Sequence, residues 1–544
     1  MSGSITLENR FGVNKMELIS LKYAIFVIVL LVLYYCFPKK YRWYVLLAGS
    51  MAYYVIICKW YVLFIIFTIC TTYGSTIWID KLLKKQNAIV KSHKEDWDRQ
   101  TRKDYKEKGR KKRVAVMLFA LLCNFGILAF LKYIPYAGEL GLLLPLGISF
   151  YTFQSMGYVM DVYREIVEPE KNFLKVALFV SFFPQIIQGP IAIYDKLAGQ
   201  LYEGHSLRLE NLQKGALLVL WGVMKKLVIA DRAVNIINFV MDKPMDFSGT
   251  YVFFAAVVYA LQLYADFSGG IDIVRGIAEM FGITMSTNFN HPYFSRSLTE
   301  YWHRWHMTLG DWCRNYIFYP LSISKRFLNF GKWLKPRFGA HISKVLPGCI
   351  ASVITFIVIG VWHGANMKYL YFGLWNGIVI MLAELFAPVS KKVAGGFFKL
   401  TGLREKGIFA TIVSVIWTFM LILVGYYFDI AANASTAFHM LFKSVTDFHI
   451  SELGINNIIL NLGACGLDEY DILLLIICTL LWFFISFVEE NKKLDMRDFI
   501  LSRKLPLRWA IIYLGIFIVI IFGYYGPGVN PADFVYMLSL IHIS

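Results

Sequence analysis

Ile350-Ala-Ser-Val-Ile-Thr-Phe-Ile-Val-Ile-Gly-Val361 is almost uninterrupted hydrocarbon, and Trp362-His363-Gly364-Ala365-Asn366 follows it directly. An apolar run of this kind belongs in a bilayer, where an ionisable group is costly and faces a bundle interior or a wet cavity. Imidazole titrates near neutral pH and serves there as a proton carrier. His363 is therefore the first candidate for chemistry.

The rest of the chain agrees with a membrane environment. Of 544 residues, 57% are apolar and 17% charged, and the mean hydropathy is +0.54, too oily for a soluble globular domain. The expected fold class is an all-α polytopic membrane protein, multi-pass in the cell (inner or plasma) membrane. A span needs about 20 apolar residues, and candidates lie near 18–37, 43–58, 60–79, 114–133, 140–160, 173–194, 212–230, 251–265, 271–285, 350–365, 369–388, 408–428, 471–488 and 507–525. Residues 1–17 form a polar N-terminal segment without a charged, apolar and small-residue succession, so Leu18–Phe37 is expected to be a retained span. No internal repeat is visible, and residues 1–544 are read as a single membrane domain.

Charge sets the orientation. Lys81–Arg113 carries fourteen Lys/Arg against five Asp/Glu, half of the net +18. Such a loop is expected on the cytoplasmic side. The basic balance points to anionic headgroups and membrane lipids, not to nucleic acid. Eight cysteines are scattered without a C-x-x-C pair, which supports neither a disulfide framework nor a zinc site. Cys313, in a polar and aromatic setting, invites lipidation or plain burial.

Ser297–Leu321 holds the densest chemistry: Ser-Leu-Thr-Glu-Tyr-Trp-His-Arg-Trp-His-Met-Thr-Leu-Gly-Asp-Trp-Cys-Arg-Asn-Tyr-Ile-Phe-Tyr-Pro-Leu. Ser297 and Glu300 form a capping-box pattern that opens a helix. Trp302, Trp305, Leu309, Trp312 and Tyr316 recur at spacings of three and four, giving that helix one aromatic face. His303 and His306 are three apart and can share a side, but without a carboxylate partner they fall short of a closed metal site, so no metal is expected. His306 reads either as an acid–base group or as an interfacial histidine that only hydrogen-bonds. No nucleophile elbow, Walker A loop or dinucleotide fingerprint is present.

Two further polar clusters interrupt apolar sequence. Asp272 and Arg275 are one helical turn apart and can pair, and the glycines Gly269-Gly270 permit a broken helix there. Around Gln188, two prolines and a glycine in Pro184-Gln-Ile-Ile-Gln-Gly-Pro190 suggest a kinked or re-entrant segment lining a cavity.

In this order the motifs resemble the membrane-bound O-acyltransferase family, in particular its bacterial branch of alginate O-acetyltransferase and teichoic-acid D-alanyl transferase. The resemblance is carried by Pro145-Leu-Gly-Ile-Ser-Phe-Tyr-Thr-Phe-Gln154 with Asp161-Val-Tyr-Arg164, by Phe183-Pro and Gln188-Gly-Pro190, by Asp266-Phe-Ser-Gly269 with Asp272, by Tyr301-Trp-His-Arg-Trp-His306 with Trp312 and Arg314-Asn-Tyr316, and by Trp362-His-Gly364. It implies a ring of tilted and re-entrant helices around a central funnel or tunnel, with His363 and His306 catalytic and Asn315, Trp305, Trp362, Asp272 and Gln188 lining the substrate path. It implies no bound cofactor, and acetyl-CoA or another acyl thioester as cytoplasmic donor. The acceptor it implies is a hydroxyl of an exported or cell-wall polysaccharide, reached through an SGNH-hydrolase-like extracytoplasmic partner. A lipid acyltransferase of the same family, or a polysaccharide or ion transporter using Asp266, Asp272 and Arg275, are the alternatives. Gly270 departs from the pattern, where bacterial relatives usually carry a bulky aromatic, and residues 537–544 read as a candidate non-native tail.

Overall fold

The computed structural model describes residues 18–134, 142, 144–401, 404, 407–454, 457 and 465–525. The polar N-terminal segment and the 537–544 tail lie outside the described residues. Among the described residues the regular structure is entirely helical. Among the described residues seven helical stretches are long and apolar enough to cross a membrane, or eight if the bent pair Met367–Leu385 and Ala387–Thr401 is one span. The chain is thus an all-α, multi-pass membrane protein. Apolar side chains such as Leu122, Leu480 and Leu514 stay exposed on these helices, as expected where lipid replaces water. Fewer helices are long enough to cross than the hydropathy pattern suggested, because several apolar runs fold as short pieces.

The chain divides into two compact units. The first holds the described residues up to Trp221 together with Gly270–Ser286. Its helices Leu21–Cys36, Arg42–Cys58, Val62–Ser92, Arg99–Tyr133 and Ile148–Tyr163 surround a core rich in aromatics, including Tyr53, Tyr54, Tyr151, Phe179 and Phe183. The basic segment expected as a loop is mostly helix: Val62–Ser92 and Arg99–Tyr133 continue through it, joined by a short turn. Asp98 caps the second helix by accepting from the Gln100 and Thr101 amides. Pairs such as Lys84–Asp80 and Arg110–Glu107, one turn apart, support helix outside an apolar environment.

The expected span at 173–194 is instead two short helices, Phe173–Ser181 and Phe183–Gln188. Pro184 sits in the first turn of the second, where its missing N–H costs nothing. The freed Phe183 amide donates to Ser50 Oγ at 3.1 Å. Asp272 and Arg275 form the anticipated ion pair at 3.5 Å.

The second unit holds Gly222–Gly269 and the described residues from Thr287 to Tyr525. The break that Gly269-Gly270 would permit does not occur, and Gly249–Met280 is one helix of 32 residues. The two glycines serve close packing instead of bending. A Cβ on Gly269 would lie 2.8 Å from the Gly222 carbonyl oxygen. Within the first unit, the space an aromatic would fill at Gly270 is taken by the Gln188 side-chain amide.

Ser297–Leu321 is not one helix either. Leu298–Arg304 and Met307–Cys313 are separate, and between them His306 adopts φ 43°, ψ 52°. The incoming segment captures the broken ends: Asn290 N–H donates to Arg304 O at 3.0 Å, and Met307 N–H to Asn288 O at 2.9 Å. The aromatic face therefore splits. Trp302 packs on Phe356 and Phe372, whereas Trp305 joins Tyr264, Phe289 and Tyr301.

Candidate functional site

His363 is the last residue of the helix Lys325–His363, which is interrupted only at Gly339 (φ 81°). A tight turn follows, and Asn366 caps the next helix, Met367–Leu385, by accepting from Lys368 N–H. Glycines let the two helices approach closely: a Cβ on Gly360 would meet Tyr369 O at 2.3 Å, and one on Gly373 would meet Phe356 O at 2.3 Å. This small-residue packing is the usual way apolar helices associate in lipid. It fixes His363 at the apex of a helical hairpin, half-buried, with its ring stacked over Tyr369 (5.9 Å, 20°) and edge-on to Phe372 (5.4 Å).

His306 lies at the break between the two short helices and is buried. Its ring is edge-on to Phe267 at 4.9 Å and to Trp362 at 6.2 Å. Trp362 in turn lies 4.9 Å from His363. Burial pushes the His306 imidazole down to about 3, and the adjacent His363 works in the same direction. His306 is consequently neutral across the physiological range. Its Nδ1 faces Asn288 Oδ1 at 3.2 Å.

Tyrosines gather around Trp305, the residue before His306, and buried ions lie beside Phe267 in sequence. Tyr426 OH meets Tyr301 OH at 2.7 Å and Tyr293 OH at 3.1 Å, while Tyr293 OH donates to Ala260 O at 2.6 Å. Beside Phe267 on its helix, Asp266 accepts from Lys226 Nζ at 2.7 Å, and the same ammonium reaches Asp231 at 2.8 Å. Lys225 Nζ donates to Ser268 Oγ at 2.8 Å. All four charged side chains are buried, and for Lys226, Asp231 and Asp266 their mutual pairing is what makes their presence tolerable.

Of the residues the sequence singled out, the structure brings His306, Trp305, Trp362 and His363 into the second unit, where His306, Trp362 and His363 adjoin through their rings. Asn315 lies half-buried on the wide helical turn Arg314–Phe318. Gln188 and Asp272 belong to the first unit. Trp305 is buried, with its ring against Tyr264, Phe289, Tyr301 and Tyr426. His303 does not share a side with His306: it is exposed, with Nδ1 3.2 Å from Arg314 Nη1. Cys313 is buried with its thiol pushed up to about 12, so plain burial describes it. Sequence reading missed Asn288, which no spacing marks, and the Lys225-Lys226 pair, whose signal was two cations inside an apolar run.

Residues 169–335 match the model of the membrane-bound O-acyltransferase family, a stretch that contains His306 and Asn288 and ends before His363. The chain is 30% identical to a probable alginate O-acetylase, AlgI, of Pseudomonas syringae over 57% of this chain and 54% of that protein. It is 30% identical to a peptidoglycan O-acetyltransferase of Helicobacter pylori over 51% of this chain and 56% of that protein. Against a teichoic acid D-alanyltransferase of Bacillus subtilis the identity is 26%, over 52% and 67% respectively. The chain thus spans little more than half the length of the first two of these curated relatives. The resemblance carried by the motifs is borne out: residues 169–335 match the family model, and over about half its length the chain is similar to membrane-bound O-acyltransferases.

Proposed function

We propose that the protein is a membrane O-acyltransferase that moves an acyl group, acetyl in the first instance, from a cytoplasmic thioester to a hydroxyl of an extracytoplasmic polysaccharide or of a relay protein. The observation that carries this reading is the adjacency of two imidazoles, one half-buried at a helix apex and one buried and neutral, joined through Trp362. The names of the relatives, which include an alginate O-acetylase and a peptidoglycan O-acetyltransferase, support the choice of acyl group and acceptor.

In this mechanism the acceptor oxygen attacks the thioester carbonyl carbon while His363 takes the hydroxyl proton. A base in hydrogen-bond reach contributes about 10²–10⁴-fold to such a step. The C–O bond forms, the C–S bond breaks, and the imidazolium returns its proton to the leaving thiolate, so the ester and a free thiol are the products. The thioester supplies the driving force. The acyl donor binds as substrate, no resident cofactor is called for, and His306 and Asn315 act on the acceptor side. An SGNH-hydrolase-like secreted partner would carry the acyl group onward. The alternative of ion passage along Asp266 is disfavoured by its closed pairing with Lys226.

The test is purified protein incubated with acetyl-CoA, with and without a polyol acceptor, following free thiol release. Acceptor-stimulated thiol release is expected. A protein that leaves the thioester intact under both conditions contradicts the proposal.

A further inference from the structure

Asn288 is fully buried, and its side-chain oxygen is the meeting point of three groups. Thr308 N–H lies 3.2 Å away, Thr308 Oγ1 2.9 Å, and His306 Nδ1 3.2 Å. A backbone N–H can only donate, so the amide atom that faces it is the oxygen. That oxygen carries no hydrogen, which makes His306 Nδ1 the donor. In a neutral imidazole one nitrogen holds the hydrogen and the other a lone pair, so Nε2 holds the lone pair.

We infer that Asn288 is a positioning residue that locks His306 in the Nδ1–H form, so that Nε2 acts by accepting a hydrogen bond from a hydroxyl of the acceptor and not by donating to a developing oxyanion. The role assigned to His306 here rests on the acyl-transfer reading; the locked tautomer does not. Three features support it. His306 holds a left-handed backbone conformation, uncommon for a residue with a side chain, and Asn288 sustains it from both its backbone and its side chain, taking the Met307 and Thr308 amides. Burial keeps the imidazole neutral, so the tautomer persists at working pH. The Asn288 Nδ2 group makes no hydrogen bond among the described residues, which leaves a donor on the amide that holds the imidazole. A lone pair on Nε2 takes a hydrogen bond from an O–H, which a sugar hydroxyl offers and a thioester carbonyl does not.

The experiment is ¹⁵N NMR of the full chain labelled at histidine, reconstituted in nanodiscs, with His306→Gln used to assign the His306 signals among the ten histidines. Between about pH 5 and 8, a protonated Nδ1 and an unprotonated Nε2 are expected. Asn288→Leu should convert a measurable share of the signal to the Nε2–H form and lower transfer by about tenfold or more. Asn288→Asp keeps the acceptor oxygen and should retain Nδ1–H while moving imidazolium formation to higher pH, with His363 the titratable neighbour. A native Nε2–H form, or a tautomer and titration indifferent to both substitutions, overturns the inference. If Asn288→Leu does not fold, the tautomers of the unsubstituted protein and of Asn288→Asp decide: Nδ1–H in both supports the lock, and Nε2–H in either refutes it. If the tautomer responds as stated but thioester cleavage is absent even in the unsubstituted protein, the lock stands and the acyl-transfer reading falls.

Discussion

His306 and Trp362 meet edge to face, 6.2 Å apart at 68°, although 56 positions separate them in the chain. The contact joins the break between two short helices to the end of a long one, and Trp362 carries it on to His363. Trp362→Ala removes that wedge. A core Trp truncation costs about 3–5 kcal/mol, so a clear drop in the detergent melting temperature is expected, whereas Trp362→Phe should retain most of the stability.

The pH dependence of stability follows from the burial of His306. Its folded value lies near 3, below the ordinary 6.5, so between those values the unfolded chain binds the extra proton. The stabilisation is complete above about pH 6.5 and is lost as pH falls toward 3. Thermal melts from pH 7.5 to 4.5 should show a decline that is shallower in His306→Gln. An equally steep decline in that variant would assign the effect elsewhere.

Lys226 holds two buried carboxylates at once. Lys226→Met leaves Asp231 and Asp266 facing each other without their cation. Removing one partner of a buried pair costs about 3–5 kcal/mol, so the variant should express poorly or melt early. Adding Asp266→Asn should recover part of the loss, which a simple packing defect would not.

The basic helical segment Lys81–Arg113 is expected in the cytoplasm because of its net charge of +9. A single cysteine placed at the exposed Ser92 should resist an impermeant thiol reagent in intact cells and react after permeabilisation. Labelling in intact cells would reverse the topology and with it the side from which a donor enters.

Much of this was legible in the sequence, for reasons that differ by element. Long apolar runs announce helices, and Ile350–Val361 did so together with the position of His363 at its end. The Ser297 cap was equally plain: its Oγ accepts from Glu300 N–H at 3.1 Å, while the Glu300 carboxylate reaches back to Arg296 N–H at 2.9 Å. The break at His306 was not legible, because the periodicity of Trp302, Trp305 and Leu309 is that of a continuous helix and the competing bonds come from Asn288 and Asn290, far along the chain. Gly269-Gly270 misled in the opposite sense, since a glycine that permits bending and one that permits close approach look alike until the neighbour is known. Asn288 carries no local signature at all, and only the folded chain shows what its oxygen touches.

The most direct test of the central claim is a single-turnover assay with acetyl-labelled acetyl-CoA and a polyol acceptor, comparing the unsubstituted protein with His363→Ala of matched monodispersity and melting temperature. The account expects labelled ester from the unsubstituted protein and a loss of at least about 10²-fold in the variant. Undiminished ester formation by folded His363→Ala would contradict it.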